Sequence, residues 1–166
     1  MSAKGILFYQ TSLGAGAVAA TDAGVCQVWL PGDDLAGLQQ SNNPSTLLQT
    51  AADQLAQYFA GTIQQFTVPV AVTHLTAFQQ RVLQATMQIP YAGLQTYGEL
   101  ARQIGSPGAA RAVGGALAAN PVPLIIPCHR VLAVTGRLTG FSAAGGVAMK
   151  EWLLRFEQEQ CADKRP

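Results

Sequence analysis

The chain has 166 residues, of which 49% are hydrophobic and 11% charged, and its formal net charge is +1. This length accommodates one ordinary domain or two small ones that each bury a core. The composition is too apolar for a disordered chain, and charged residues interrupt it too often for a membrane span of about 20 residues. Because the N-terminus lacks the apolar segment of a secretory signal, we expect a cytoplasmic protein.

Charge is unevenly distributed along the chain. Residues 1–74 carry one lysine and four aspartates, a net charge of −3, whereas residues 75–166 carry nine basic and five acidic residues, a net charge of +4. A surface that faces phosphate is therefore expected in the second part, although a solvated basic face would produce the same count.

The first part predicts a small antiparallel sheet followed by a helix. Apolar runs at residues 6–9, 17–20 and 25–30 are separated by glycine and aspartate, a pattern typical of a three-stranded meander. Ser45 then precedes a helical pattern that ends at Gly61. Residues 62–75 are expected to connect this domain, residues 1–75, with a second domain, residues 76–166.

The second part predicts helices. One begins at Thr76, and another begins at Thr96, where Glu99 completes a capping box. Ser106, followed by proline, predicts the cap of a third helix. Two short helices joined by a tight turn are typical of a helix-turn-helix. Further along, Thr135 and Gly136 lie between two apolar runs, which predicts a hairpin that could serve as a wing.

The second helix of this pair has an outer face of very small side chains. Ala112, Gly115, Ala118 and Ala119 lie outside its apolar arc, and Arg111 is the only long side chain there. A helix that reads bases needs several Arg, Asn or Gln side chains. This face instead favours close, sequence-independent approach to nucleic acid with one inserted arginine. The alternative is a small-residue helix packed against another element.

Residues 120–131 form a stiff segment with a thiol near its end. Three prolines restrict the backbone, and Cys128 and His129 follow the last of them. A cysteine at the start of a helical turn would face free N–H groups, which favour a thiolate. The alternative is a small buried cysteine in a core strand. The three cysteines, Cys26, Cys128 and Cys161, contain no C-x-x-C pair, so neither a disulfide framework nor a zinc site is expected.

The last helix, from about Val147 to Gln160, places an acid in its apolar face. Glu157 lies between Leu153 and Leu154 on the helical wheel, where it needs a partner. His129 is the economical partner, so Cys128, His129 and Glu157 make a candidate nucleophile, base and orienting acid. Adjacent residues do not face each other on a helical turn, so His129 is expected to reach Cys128 through a water.

These motifs together resemble the methylated-DNA-protein-cysteine methyltransferases, the family that removes alkyl groups from O6 of guanine. The resemblance is carried by residues 127–131 (PCHRV), 111–115 (RAVGG), 120–123 (NPVP), 89–93 (IPYAG) and 150–154 (KEWLL). It is strong over residues 76–157 and weaker over residues 1–75. It implies an α/β (α+β) fold with an N-terminal ribonuclease-H-like subdomain and a C-terminal winged helix-turn-helix domain that carries the active-site cysteine.

The resemblance also implies residue roles. Cys128 accepts the alkyl group, His129 deprotonates it through water, Glu157 orients His129, Asn120 shapes the turn before the cysteine, and Tyr97 crowds the target phosphate and donates to the departing guanine. Arg111 fills the stack left by the flipped base. The remaining expected DNA contacts are Thr96, Ala110, Gly114, Gly115, Ala118 and Arg130, and the expected pocket residues are Phe141, Ser142, Lys150 and Val131.

The expected partner is duplex DNA that contains O6-alkylguanine, and O4-alkylthymine is a possible second lesion. The DNA is bound through its minor groove by a monomer that is consumed in one reaction, with no membrane, metal or cofactor. Compared with the family, residues 141–146 are expected to form a longer pocket loop than is usual, and the first part lacks the Cys and His residues with which some members bind zinc. A cysteine hydrolase with the same three residues and a non-enzymatic lesion binder are the alternatives.

Overall fold

The structure is a computed structural model that describes residues 3–141, 143 and 145–164. The chain divides into two compact units between His74 and Leu75. Both units combine strands with helices, which confirms the predicted mixed α/β class. Ser142, one of the expected pocket residues, lies outside the described residues.

The first unit is a three-stranded antiparallel sheet with one helix. Strands β1 (Gly5–Thr11), β2 (Gly14–Thr21) and β3 (Gly24–Trp29) lie in that order, as predicted. Helix α1 (Thr46–Phe59) begins where Ser45 accepts a hydrogen bond from the Leu48 amide. Its buried face covers the sheet and completes an apolar core that includes Val18, Val28, Leu30, Leu48 and Leu55.

Two further features of this unit are a position that requires glycine and a connector segment that joins the sheet. A Cβ at Gly16 would lie 2.2 Å from the ring of Tyr9, whose hydroxyl donates to the Trp29 carbonyl at 2.7 Å, so β2 must carry glycine there. In the segment predicted as a connector, Val70 forms a parallel bridge with Val25. That segment therefore extends the edge of the sheet.

The second unit is mainly helical. It contains α2 (Ala77–Thr86), β4 (Gln95–Thr96), α3 (Tyr97–Gln103), α4 (Ala110–Ala118), a 3₁₀ turn (Cys128–Arg130), β5 (Val131–Leu132) and α5 (Gly146–Asp163). Thr76 and Thr96 both form complete capping boxes, with Gln79 and Glu99 respectively, so the predicted starts of α2 and α3 are confirmed. Helices α3 and α4 pack together as the predicted helix pair.

The predicted start of α4 is wrong. The helix begins at Ala110, and no side chain caps it. Ser106 instead accepts a backbone hydrogen bond from Ala109 at 3.0 Å, and Gly108 has a φ of +85°. This left-handed residue takes the chain out of helical geometry, so a helix that starts at Pro107 is excluded.

The hairpin predicted around Thr135 and Gly136 is also wrong. Val131–Leu132 pairs in parallel with Gln95–Thr96, and residues 137–139 form no strand. The Val131 and Thr139 carbonyl oxygens accept hydrogen bonds from Lys150 Nζ at 2.8 and 3.1 Å. A buried ammonium group thus binds carbonyls that a hairpin ladder would use, because α5 lies beside this segment.

Candidate active site

The stiff segment before the cysteine is fastened by Asn120. Its side-chain Nδ2 donates to the Ile126 carbonyl at 3.0 Å, and its Oδ1 accepts from the Val122 amide at 3.0 Å. Between these points Leu124 has a φ of +71°, a conformation that disfavours residues other than glycine. The two Asn120 bonds hold this strained loop closed, in agreement with the predicted turn-shaping role.

Cys128 is 8% exposed and opens the 3₁₀ turn. Burial raises the pKa of its thiol above the ordinary value, although a hydrogen bond from Asn120 and the charge of Lys150 act in the opposite direction. Its amide, which we expected to be free, donates to the Ile126 carbonyl at 2.8 Å. The expectation of a resting thiolate is therefore wrong: the resting thiol is neutral.

The predicted pairing of His129 with Glu157 is confirmed. His129 Nε2 lies 2.7 Å from Glu157 Oε1, and both side chains are fully buried. Burial lowers the pKa of His129, and the hydrogen bond and charge of Glu157 offset this only in part. Burial opposes ionisation of Glu157, but hydrogen bonds and charges from His129 and Arg130 lower the pKa of Glu157 to about 2. A neutral imidazole thus faces an ionised carboxylate.

This arrangement fixes which imidazole nitrogen carries the proton. An ionised carboxylate only accepts hydrogen bonds, so His129 Nε2 must donate to Glu157. In the neutral ring the other nitrogen, Nδ1, then holds a lone pair, and it has no hydrogen-bond partner among the described residues. A buried, unpaired acceptor next to Cys128 has the properties of a general base.

The prediction that Arg130 contacts DNA is wrong. The residue is only 6% exposed, and its side chain donates from Nε to Glu157 Oε2 at 3.0 Å and from Nη2 to Glu157 Oε1 at 2.8 Å. The third nitrogen, Nη1, donates to the Ile89 carbonyl at 2.8 Å. The guanidinium group is therefore part of the interior, where it neutralises a buried acid.

Lys150 is 1% exposed and joins three segments of the second unit. Besides the Val131 and Thr139 carbonyls, its Nζ donates to Tyr97 Oη at 3.5 Å and lies 5.7 Å from the centre of that ring. Tyr97 Oη is also 3.1 Å from Thr139 Oγ1. Sequence reasoning placed Lys150 and Val131 in one pocket but did not predict that the lysine holds the chain after β5.

A groove of about 370 Å³ lies on the surface of α4. Five of the predicted DNA contacts line it together with three residues from the segment after β5: Tyr97, Ala110, Arg111, Gly114, Ala118, Ala133, Thr139 and Gly140. Arg111, Gly115 and Ala118 are exposed, as the wheel predicted, whereas the apolar arc is centred on Val113, Ala116 and Leu117.

The other predicted site residues are partly or fully buried. Thr96 is occupied as the cap of α3, because its Oγ1 accepts from the Glu99 amide at 3.1 Å. Phe141 is half-buried, and Val131 is fully buried. Within residues 3–141, 143 and 145–164, no group of three or more His, Cys, Asp or Glu side chains is arranged to hold a metal ion, and no helix is long and apolar enough to cross a membrane.

Comparison with known proteins identifies the family. Residues 77–159 match the model of the 6-O-methylguanine DNA methyltransferase DNA-binding domain, and residues 7–72 match the ribonuclease-like domain of the same family. The chain is 49% identical over 117 residues to the methylated-DNA–protein-cysteine methyltransferase of Salmonella typhimurium, which covers 70% of this chain and 65% of the relative. The relative of the same name from Mycobacterium tuberculosis H37Rv is 49% identical over 110 residues, 66% of this chain and 65% of its own length.

Solved structures agree with this result. The crystal structure of Mycobacterium tuberculosis OGT in complex with DNA superposes with a TM-score of 0.80 at 36% identity, and covers 93% of each chain. The O6-methylguanine-DNA methyltransferase of Pyrococcus kodakaraensis shares the fold, with a TM-score of 0.62 at 22% identity over 92% of this chain and 97% of its own. The resemblance seen in the sequence is confirmed: the chain belongs to the 6-O-methylguanine DNA methyltransferase family.

Proposed function

We propose that this protein repairs DNA by transferring the alkyl group of O6-alkylguanine to Cys128, irreversibly and once per molecule. The observation that carries the proposal is a buried thiol next to a neutral imidazole whose second nitrogen is bound to a buried carboxylate. Family membership supports the same reaction, since the relatives are named as methylated-DNA–protein-cysteine methyltransferases. The matched relatives extend beyond the aligned segment, which is 65% of their length.

In the proposed reaction the Cys128 sulfur attacks the alkyl carbon, an S–C bond forms, and the C–O6 bond of guanine breaks. The Cys128 proton passes through a bridging water to His129 Nδ1, and Glu157 stabilises the imidazolium that results. Tyr97 donates a proton to the departing guanine, and exchange with solvent restores the protonation of both side chains. The thioether product is chemically stable, so the protein is consumed, and no cofactor takes part.

The groove on α4 is the proposed DNA contact. A helix face of alanine and glycine lets the duplex approach closely, and Arg111 inserts into the stack when the damaged base is flipped out. Arg130 is excluded from this surface by its burial. Phe141 is the described residue that we assign to the base pocket, whereas Lys150 and Val131 are buried and hold the segment after β5 in place. Thr96 and Gly115 extend the contact along α3 and α4. We propose the minor groove of damaged duplex DNA as the target and a monomer as the active form.

The two units have separate proposed roles. Residues 76–166 hold every residue to which we assign DNA binding or alkyl acceptance, and they carry the positive net charge. Residues 1–75 form a ribonuclease-H-like subdomain in which we assign no reacting group. Of the two alternatives, a cysteine hydrolase would turn over and a non-enzymatic lesion binder would lack an acceptor thiol, so neither is favoured.

Stoichiometry tests the proposal. The protein is incubated with excess duplex DNA that carries O6-[³H-methyl]guanine, and the labelled peptide is identified by mass spectrometry. One methyl group per protein on Cys128 is expected, with no transfer to Cys128→Ala. Cys26→Ala and Cys161→Ala are matched controls that should react as the wild type does. Transfer to another site, or many turnovers per protein, would contradict the proposal.

A further inference from the structure

The carboxylate of Glu157 accepts four hydrogen bonds from three residues, two of which are adjacent in the chain. His129 Nε2 and Arg130 Nη2 approach Oε1 at 2.7 and 2.8 Å, whereas Arg130 Nε and the Ala92 amide donate to Oε2 at 3.0 and 3.1 Å. A carboxylate has about four acceptor positions, so these bonds saturate it. Glu157 cannot rotate without breaking several of them.

The guanidinium group that supplies two of these bonds is itself immobilised. Arg130 Nη1 is bound to the Ile89 carbonyl at 2.8 Å, and its Cζ lies 5.5 Å from the centre of the Tyr91 ring. The turn that contains Ala92, whose φ is +60°, is also attached to α5. The Ala92 carbonyl accepts a hydrogen bond from Gln158 Nε2 at 3.2 Å. A planar fork with two parallel donors defines the plane of its carboxylate partner, which an ammonium group does not.

We propose that Arg130 is a positioning residue for the base His129, and that it acts through Glu157: its fork holds both carboxylate oxygens so that Oε1 always receives His129 Nε2–H and the unpaired Nδ1 stays available to accept a proton. This inference rests on the proposed function, because it assigns a role in proton transfer. Arg130 touches neither the thiol nor the DNA in this scheme.

Arg130 can affect His129 through its positive charge and through its planar fork, and two substitutions separate these effects. Glu157 and Lys150 of α5 face the imidazole, as does Arg130 from its own turn, and Tyr91 lies against Arg130 from the preceding segment. Arg130→Lys keeps the positive charge but loses the fork. Arg130→Gln loses the charge, which opposes protonation of His129, so the acidic limb of its rate profile should move to higher pH.

Single-turnover alkyl transfer between pH 5 and 8 tests the assignment. Arg130→Lys should react roughly 10- to 100-fold more slowly than wild type, with an unchanged acidic midpoint, since loss of an orienting partner typically costs that much. In a Glu157→Gln background the same substitution should cost no more than about twofold, because the residue through which it acts has been altered. Arg155→Lys is the matched control, an exposed arginine paired with Glu151, and should change nothing.

Imidazole ¹⁵N shifts provide a readout independent of activity. The chain has two histidines, so His74→Gln leaves the signal of His129 alone. The wild type should show a neutral ring protonated at Nε2, and Arg130→Lys should show a mixture of tautomers. The inference would be overturned if folded Arg130→Lys transferred the alkyl group at the wild-type rate, or if its tautomer were unchanged. It would also be overturned if Arg130→Lys slowed transfer as much in the Glu157→Gln background as in the wild type. Failure of the wild type itself to alkylate Cys128 would instead overturn the proposed function.

Discussion

At the scale of residues, the site depends on one buried acid with two basic partners. The pairing of Glu157 with His129 could be predicted, because an acid inside an apolar helix face requires a partner and the second part of the chain offered few. The role of Arg130 could not be predicted, since a basic residue after a cysteine and histidine is equally consistent with binding phosphate. Only the fold brings Ala92 and Arg130 to the carboxylate, and the Ile89 carbonyl to the guanidinium group of Arg130.

The same acid should make folding stability depend on pH. The folded pKa of Glu157 is about 2 and its ordinary value is 4.5, so the unfolded chain binds the proton more tightly. The ionised Glu157 therefore contributes to the free energy of unfolding above pH 4.5, and this contribution is lost as the pH falls toward 2. The difference between the two pKa values corresponds to roughly 3 kcal/mol. The lowered pKa of His129 acts in the same direction, with stability lost as the pH falls below 6.5.

Urea unfolding of the wild type at pH 7, 5 and 3 measures this dependence. Glu157→Gln should be less stable at pH 7, because Arg130 loses a charged partner, and should lose less stability on acidification than the wild type. Glu159→Gln, an exposed position on the same helix, should keep the wild-type slope. Equal slopes for Glu157→Gln and the wild type would show that the buried carboxylate is not the source.

At the scale of elements, helix starts marked by a capping side chain were predictable, whereas the start of α4, which no side chain caps, was not. Thr96 and Glu99 identify the start of α3 because both reciprocal bonds are local. The hairpin after Val131 was mispredicted because a distant residue, Lys150, binds the carbonyls of that segment. Local patterns therefore described the helices better than the loop that α5 holds.

Helix α4 carries two adjacent glycines, Gly114 and Gly115, in its interior. Glycine lowers the stability of a helix relative to alanine. A Cβ at Gly115 would meet no atom within 4 Å, so Gly115→Ala should raise the free energy of unfolding by roughly 0.5–1 kcal/mol. If this face approaches DNA as proposed, the same methyl group should weaken binding to duplex DNA. Denaturant unfolding and a fluorescence binding assay measure the two effects.

Gly98→Ala in α3 serves as the comparison for helix propensity, because its Cβ would lie 3.7 Å from Arg102 Nη1, an ordinary contact. It should also stabilise the protein. A Gly115→Ala variant that gains stability and binds DNA as tightly as the wild type would remove Gly115 from the proposed contact.

At the scale of the whole molecule, the net charge of −3 on residues 1–74 and +4 on residues 75–166 favours the second part as the site of the proposed DNA binding. Arg111→Ala should react with free O6-alkylguanine base at the wild-type rate but more slowly with duplex DNA, because the stack left by the flipped base is no longer filled. Affinity for duplex DNA should fall with salt, because cations are released from the phosphates that the protein contacts.

Arg155→Ala is the control for this experiment, since it removes an exposed arginine on α5 outside the groove. It should leave both reactions unchanged. An equal loss of rate on free base and on duplex for Arg111→Ala would contradict the assignment of Arg111 to the vacated stack.

If Cys128 accepts alkyl groups as proposed, its burial also affects how long the thiol survives before the protein meets a lesion. A molecule that acts only once is useless after its thiol has reacted with peroxide or a soluble electrophile, and such reagents attack the thiolate. Since burial raises the pKa of Cys128 and leaves 8% of the residue exposed, the acceptor waits in its least reactive form. In the proposed mechanism, the burial that makes Cys128 depend on His129 for activation therefore also protects the thiol from peroxide and soluble electrophiles.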